Sequence, residues 1–186
     1  MSGRVLGLVA CAAGGVEELR TQLIEPMQAD GWIVAVTVTP NAATWLRATG
    51  EFDMTEAVTG LPVRVEPRLP SEQSPHPAAD CYAVVPATAN TVAKLALGIA
   101  DNQALTTVCE ALGSRRSPVV IFPRINLAHA QHPAWGQHLR TLSDAGVHLV
   151  YGSDVWPLQT PRGMPGRPLP WEAIRRAIDR APPSPT

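Results

Sequence analysis

The stretch "YAVVPATANTVAKLALGIADN", Tyr82 to Asn102, decides the fold. Its first half is an apolar, β-branched run that reads as a buried strand, and its second half carries apolar residues at helical spacing. Where the two meet, Pro86, Thr88, Asn90 and Thr91 cluster around Ala87 and Ala89, side chains too small to block close approach. A connector needs one or two turn residues, and a helix N-cap needs one hydroxyl or amide. Three such groups in four positions suit phosphate oxygens or the edge of a heterocycle at a helix N-terminus.

Outward from that stretch, the same alternation repeats. "RVLGLVAC" holds a short apolar strand over Val5–Ala10, followed by a tight "CAAGG" turn. The run also resembles a lipoprotein leader, but it is shorter than the roughly 7–15 residues of an h-region. Val16, Leu19, Leu23, Ile24 and Met27 mark a helix over 16–29, with Pro26 kinking it or marking its last turn. "GWIVAVTVTP" is a strand, and "NAATWLRATG" a short helix with Asn41 as N-cap. A weaker strand is expected around Val63–Val65, then a proline-rich loop. Residues 91–112 read as helix with a break near "GIADN". A strand over 117–123, a helix over 132–146, a last strand "VHLVYG" and a closing helix over 170–181 complete the chain. Residues 152–170, rich in Pro and Gly, read as a mobile loop or a flap over a site, and 182–186 as a disordered tail.

Continuously apolar strands alternating with helices indicate a parallel sheet covered on both faces. The expected fold is a single α/β domain over residues 1–181: a Rossmann-like, doubly wound parallel sheet in a three-layer sandwich. Ligands of such sheets bind at the carboxyl ends of the strands. "ACAAGG", "TPNAAT", "PATANT" and "PRIN" all fall there. The first lacks the full GxGxxG fingerprint, yet Cys11, Ala12, Gly14 and Gly15 leave room for an anion to approach backbone N–H groups. Thr39 closes the second strand where a dinucleotide site often places an acid. A mononucleotide is therefore favoured over NAD.

Composition excludes several classes. The chain has 186 residues and a net charge of −1, with no basic cluster to support a nucleic-acid footprint. No stretch has the length of a membrane span. Cys11, Cys81 and Cys109 form no CxxC pair and no disulfide framework, which points to a reducing cytoplasm. His129 and His132 lack a carboxylate or thiolate partner, so no metal site is expected.

"PATANTVAKLALGIADNQAL" closely resembles the segment shared by the flavin-containing cysteine decarboxylase superfamily. That group includes phosphopantothenoylcysteine decarboxylases and the peptidyl-cysteine decarboxylases of lanthipeptide pathways. "VAVTVTPNAATWL", "VVIFPRIN" and "HPAWGQHLRTLSDAGVHLVYG" extend the resemblance over most of the chain, and "PLPWEAI" looks most like flavoproteins of actinobacterial type. The resemblance implies FMN in preference to FAD. Thr88, Asn90 and Thr91 would line the flavin and substrate site, Cys11–Gly15 would face the phosphate, and Thr39, Ala42 and Ala43 would flank the ring beside Pro86 and Ala87. It also implies homotrimers or dodecamers, with the ring near a subunit boundary, and a small-molecule or peptide substrate.

The pattern departs from the family in three places. The family's catalytic histidine stands about two helical turns before the "AD" of the motif strand, where this chain has Glu72; His76 is the nearby imidazole. The family's Pro-x-Met-Asn stretch ending in Met-Trp appears as "PRINLAHAQHPAW", so Asn126 would hold a substrate carboxylate and Arg124 would add a charge-assisted contact. No cysteine follows Cys109 to return a proton as the flavin is reoxidised, so an oxidised ene-thiol product is expected. In that chemistry flavin takes a hydride equivalent from the thiol-bearing carbon, and the resulting thiocarbonyl serves as electron sink as carbon dioxide leaves. Two other readings stand beside it. One is a flavin-binding accessory or regulatory subunit without decarboxylase chemistry. The other, flavin prenyl transfer, would need a basic site for dimethylallyl phosphate.

Overall fold

The computed structural model describes residues 3–163 and 166–181; the expected tail at 182–186 lies outside them. Its centre is a five-stranded, all-parallel sheet with strand order β2-β1-β3-β4-β5. The strands are β1 (Val5–Ala10), β2 (Ile33–Val38), β3 (Cys81–Ala87), β4 (Val119–Pro123) and β5 (His148–Leu149). β1, β3 and β4 are almost wholly buried, as expected where helices cover both faces. The order reverses between β1 and β3, which places the switch point at the ends of those two strands.

Among the described residues, eight α-helices surround the sheet: α1 (Glu25–Ala29), α2 (Pro40–Thr49), α3 (Glu51–Thr59), α4 (Ala89–Leu97), α5 (Gln103–Ser114), α6 (Leu127–Ala130), α7 (Trp135–Asp144) and α8 (Trp171–Asp179). One apolar cluster joins Leu6, Leu8, Val34 and Val36 to the first helical segment, α2 and α8. The other joins Val9, Val84 and Ile121 to α4, α5 and α7. Because side chains alternate across a strand, these clusters are the two faces of one sheet. The three-layer sandwich read from the sequence is the architecture observed.

Four local expectations are corrected. The segment at Val63–Val65 forms no strand; Arg64 alone makes a bridge, to Thr37, and the nearby Pro62, Pro67 and Pro70 donate no backbone hydrogen bonds. Thr39, not Asn41, caps α2: its hydroxyl accepts from the Ala42 N–H at 3.4 Å. A further helix, α3, follows α2 directly, separated only by Gly50 in the left-handed region at φ 77°. The last strand is two residues long.

The helix expected over 16–29 is a 3-10 turn (Val16–Glu18), a π turn (Arg20–Ile24) and α1 in succession. Pro26 has no N–H to offer the Gln22 carbonyl. The Arg175 guanidinium of α8 donates to that carbonyl instead, at 3.3 Å. The break near "GIADN" is real. Gly98 ends α4 at φ 71°, and Asn102 caps α5, accepting from the Leu105 N–H at 3.1 Å.

Candidate functional site

A cleft of about 440 Å³ opens at the carboxyl ends of β1, β2 and β3. Cys11, Ala12, Thr39, Asn41, Thr88, Asn90 and Thr91 line it, with Lys94, Asp101 and Asn102 on its far wall. Three of the four sequence-singled loops therefore meet in one place. The Cys11 N–H donates to the Pro86 carbonyl at 3.1 Å and the Thr39 N–H to the Ala10 carbonyl at 3.0 Å, which tie the loops together.

Within "PATANT" the polar groups divide their roles. Thr88 caps α4, its hydroxyl accepting from the Thr91 N–H at 3.1 Å and donating to the Thr91 hydroxyl at 3.0 Å. Thr91 is 4% exposed and lies 3.2 Å from the Cys11 sulfur. Burial pushes the Cys11 thiol up, against hydrogen bonds from Thr91 and the Thr88 backbone that pull it down. Asn90 is exposed to the cleft. Thr88 and Thr91 are thus held by the helix start, while Asn90 plays no part in the cap and faces the cleft. Pro86 and Ala87 are buried in β3 behind them, and Ala42 is buried in the first turn of α2.

The β1 turn supplies a second feature. Gly15 has φ 95°, and a β-carbon there would lie 2.5 Å from the Leu169 side chain, so only glycine suits that position. A β-carbon on Gly14 would lie 3.6 Å from the Arg124 guanidinium. The Gly15 N–H already donates to the Glu17 carboxylate at 3.0 Å. The segment 152–170 reaches this turn and is pinned in its described part. Trp156 is 5% exposed, donates to the Pro168 carbonyl at 3.2 Å and packs edge-on against Phe122.

Asn126 caps α6 through its side-chain oxygen, which accepts from the His129 N–H at 3.0 Å. Its amide NH2 is left to donate elsewhere. His129 and His132 are exposed, and among the described residues no group of three or more His, Cys, Asp or Glu side chains could hold a metal ion.

His76 lies elsewhere. It lines a cleft of about 510 Å³ over the face of the sheet, with Gly7, Ala35, Arg64, Arg68, Tyr82, Thr106 and Glu110. A carbonyl only accepts, so the Nε2–H of His76 donates to the Pro62 carbonyl, 2.7 Å away, leaving Nδ1 as acceptor. Burial holds its pKa below the ordinary value, opposed by that bond and assisted by Arg64. Glu72, at the spacing of the family histidine, accepts from the Leu69 N–H at 2.8 Å in a surface turn. The floor of this second cleft is built by register partners Gly7–Ala35 and Val9–Thr37. Val9 and Cys11 belong to the same apolar cluster. The two clefts therefore follow one sheet face in line.

The arrangement suits a polar ligand with an anionic end at the β1 turn and a planar or amide-bearing part beside Thr88 and Asn90. The sequence pointed to Cys11, Thr39, Thr88, Asn90 and Thr91, and the structure brings them together. The sequence did not single out Trp156 and Arg167, which reach Arg124 from far along the chain; two arginines around a tryptophan carry no periodic signal.

The chain is similar to several known proteins. A cysteine/cysteine sulfinic acid decarboxylase from an unknown prokaryotic organism is 42% identical over 71 residues, 38% of this chain and 19% of that protein. The coenzyme A biosynthesis bifunctional protein CoaBC of Thermococcus kodakarensis is 34% identical over 103 residues, 55% of this chain and 24% of that protein. The matches thus span about a quarter or less of these curated relatives. Among solved structures, the FMN-dependent cysteine decarboxylase SpaF superposes with a TM-score of 0.66 at 25% identity, over 97% of this chain and 98% of that one. The peptidyl-cysteine decarboxylase EpiD shares the fold, with a TM-score of 0.66 at 22% identity over 96% of this chain and 99% of that one. The Flavoprotein family model matches residues 4–180, and the chain belongs to that family.

Proposed function

We propose that this protein is an FMN-dependent oxidative decarboxylase acting on a cysteine-derived or small carboxylated substrate. The observation that carries the reading is the switch-point cleft. Small residues, Cys11, Ala12 and Thr39, line it at the strand ends, its α4 wall is capped by Thr88, and the Asn90 side chain faces it outside the cap. FMN fits this donor set: an orphaned guanidinium nitrogen of Arg124 lies beside the glycine turn, where a phosphate would sit, and the carboxyl edge beyond is open to a ring. Ala12, Gly14 and Gly15 would hold the phosphate end, and Cys11, Thr39, Ala42, Pro86, Ala87, Thr88, Asn90 and Thr91 the rest.

Bound FMN supplies a two-electron acceptor for the substrate. The chain supplies position. The Asn126 amide, its oxygen already engaged by the His129 N–H, presents N–H groups suited to a carboxylate. Asn90 orients the substrate at the helix start. The neutral Cys11 thiol, held up by burial, presents an uncharged surface to the ring. His76, with Nδ1 as acceptor, is the candidate base. Homotrimers or dodecamers belong to the same reading, as does a cytoplasmic setting. The three free cysteines support the latter. Among the described residues no helix is long and apolar enough to cross a membrane.

One observation favours a second reading, a flavin-binding accessory subunit without decarboxylase chemistry. His76 lines the sheet-face cleft, apart from Asn90 in the switch-point cleft. The visible spectrum of the purified protein, followed by mass identification of any released chromophore, tests what both readings share. Carbon dioxide release from cysteine and cysteinyl peptides then separates them. Turnover that falls in both Asn126→Ala and His76→Ala supports the decarboxylase. A yellow, inert protein supports the accessory subunit, and a colourless protein that takes up no added FMN or FAD ends both.

A further inference from the structure

Arg124 is anchored and yet unsatisfied. Its backbone N–H donates to the Ala87 carbonyl at 2.8 Å, fixing it at the end of β4. Its side chain reaches the β1 turn, where Nη2 and Nε lie 3.6 and 4.0 Å from the position of a β-carbon on Gly14. Nε is buried and has no hydrogen-bond partner. The guanidinium lies 4.5 Å from the centre of the Trp156 ring, and the Arg167 guanidinium lies 4.4 Å from the same centre. Among the described residues neither arginine forms a salt bridge.

Physical chemistry does not leave such a group idle. A buried donor without an acceptor is costly, more so when charged. Two cations over one indole repel each other; burial first, and then Arg167, holds Arg124 below its ordinary pKa while Glu17 opposes them. Glu17 is the chain's own anion here, its carboxylate turned to the Gly15 N–H rather than bridging to Arg124. A backbone N–H at a glycine turn, beside a planar guanidinium with free donors, matches a tetrahedral dianion.

We propose that Arg124 and Arg167, packed on Trp156, clamp the terminal phosphate monoester of the flavin against the Gly14–Gly15 turn, displacing Glu17. The clamp rests on the flavin-binding reading and reassigns Arg124 from the substrate carboxylate to the cofactor. It selects a monoester dianion. Riboflavin brings no phosphate, and the diphosphate of FAD has no free terminus to enter the turn.

The test is a titration of the full chain, freed of flavin, with FMN and separately with riboflavin, read by quenching of flavin fluorescence. Arg124→Gln weakens FMN about 10- to 100-fold, the loss of a charged hydrogen bond, and leaves riboflavin unchanged. Arg124→Lys retains part of the preference, Arg167→Gln loses part of it, and Glu17→Gln tightens FMN alone. Circular dichroism melts confirm that each variant is folded; should Arg124→Gln fail to fold, Glu17→Gln and Arg167→Gln carry the comparison. An FMN-to-riboflavin ratio unchanged in all variants overturns the clamp while leaving flavin binding intact. A wild-type protein that binds neither flavin overturns both.

Discussion

Thr88 and Asn90 stand two positions apart at the start of α4 and answer to different forces. Thr88 satisfies the Thr91 N–H, so Thr88→Ala leaves a helix-start donor unpaired and costs about 1 kcal/mol in a urea melt, with Thr88→Ser restoring most of it. Asn90 is exposed and outside the cap. Asn90→Ala is expected to leave stability within about 0.5 kcal/mol of wild type while weakening flavin binding or turnover. Paired melts and flavin titrations of the two variants check this division. The sequence showed three polar groups where a cap needs one. It did not show which was spare, because Thr88, Asn90 and Thr91 are all competent near a helix start and only the backbone path selects among them.

At the scale of elements, the strands were legible because burial on both faces leaves an apolar run with no alternation, as in β1 and β3. The helix α3 carries no strong apolar signal, although Gly50 and Gly60 bracket it, both left-handed, and Glu51 and Asp53 occupy its first turn. The stretch around Val63 carries the opposite ambiguity, since β-branched residues favour a strand even where prolines prevent a ladder. Gly7 shows a further limit. A β-carbon there would stand 2.5 Å from the Tyr82 ring and 3.1 Å from Ala79, so glycine is required by a neighbouring strand rather than by its own backbone. Gly7→Ala is expected to destabilise by about 1–3 kcal/mol through overpacking, read as a shift of the urea midpoint. Tyr82→Leu in the same chain recovers part of that loss.

For the whole molecule, acid stability has a distinct contributor. The His76 pKa is held below its unfolded value, first by burial. As pH falls through about 6.5, the unfolded chain takes up a proton that the folded chain refuses. This contribution is therefore full above that value, is lost on acidification, and levels off below the folded pKa. His76→Gln is expected to flatten the fall in melting temperature between about pH 7.5 and 5; a wild-type and variant pair with parallel profiles would remove His76 from the account. The meeting of loops at the switch point was legible as topology, since strand order places carboxyl ends together. The meeting of Arg124, Trp156 and Arg167 was not. It depends on the path of a long segment rich in Pro and Gly, where local preference says little about direction.

Trp32 touches both extremities of the fold. The Arg4 guanidinium lies 4.1 Å from the centre of its ring, and its indole N–H donates to Asp179 at 3.1 Å. The side chains of Arg4 and Asp179 thus meet on one indole. A circular permutant that joins those two positions by a short flexible bridge, and opens the exposed turn at residues 71–74 instead, would keep every strand neighbour in place. It would also set new ends near the sheet-face cleft, a convenient point from which to tether a second protein.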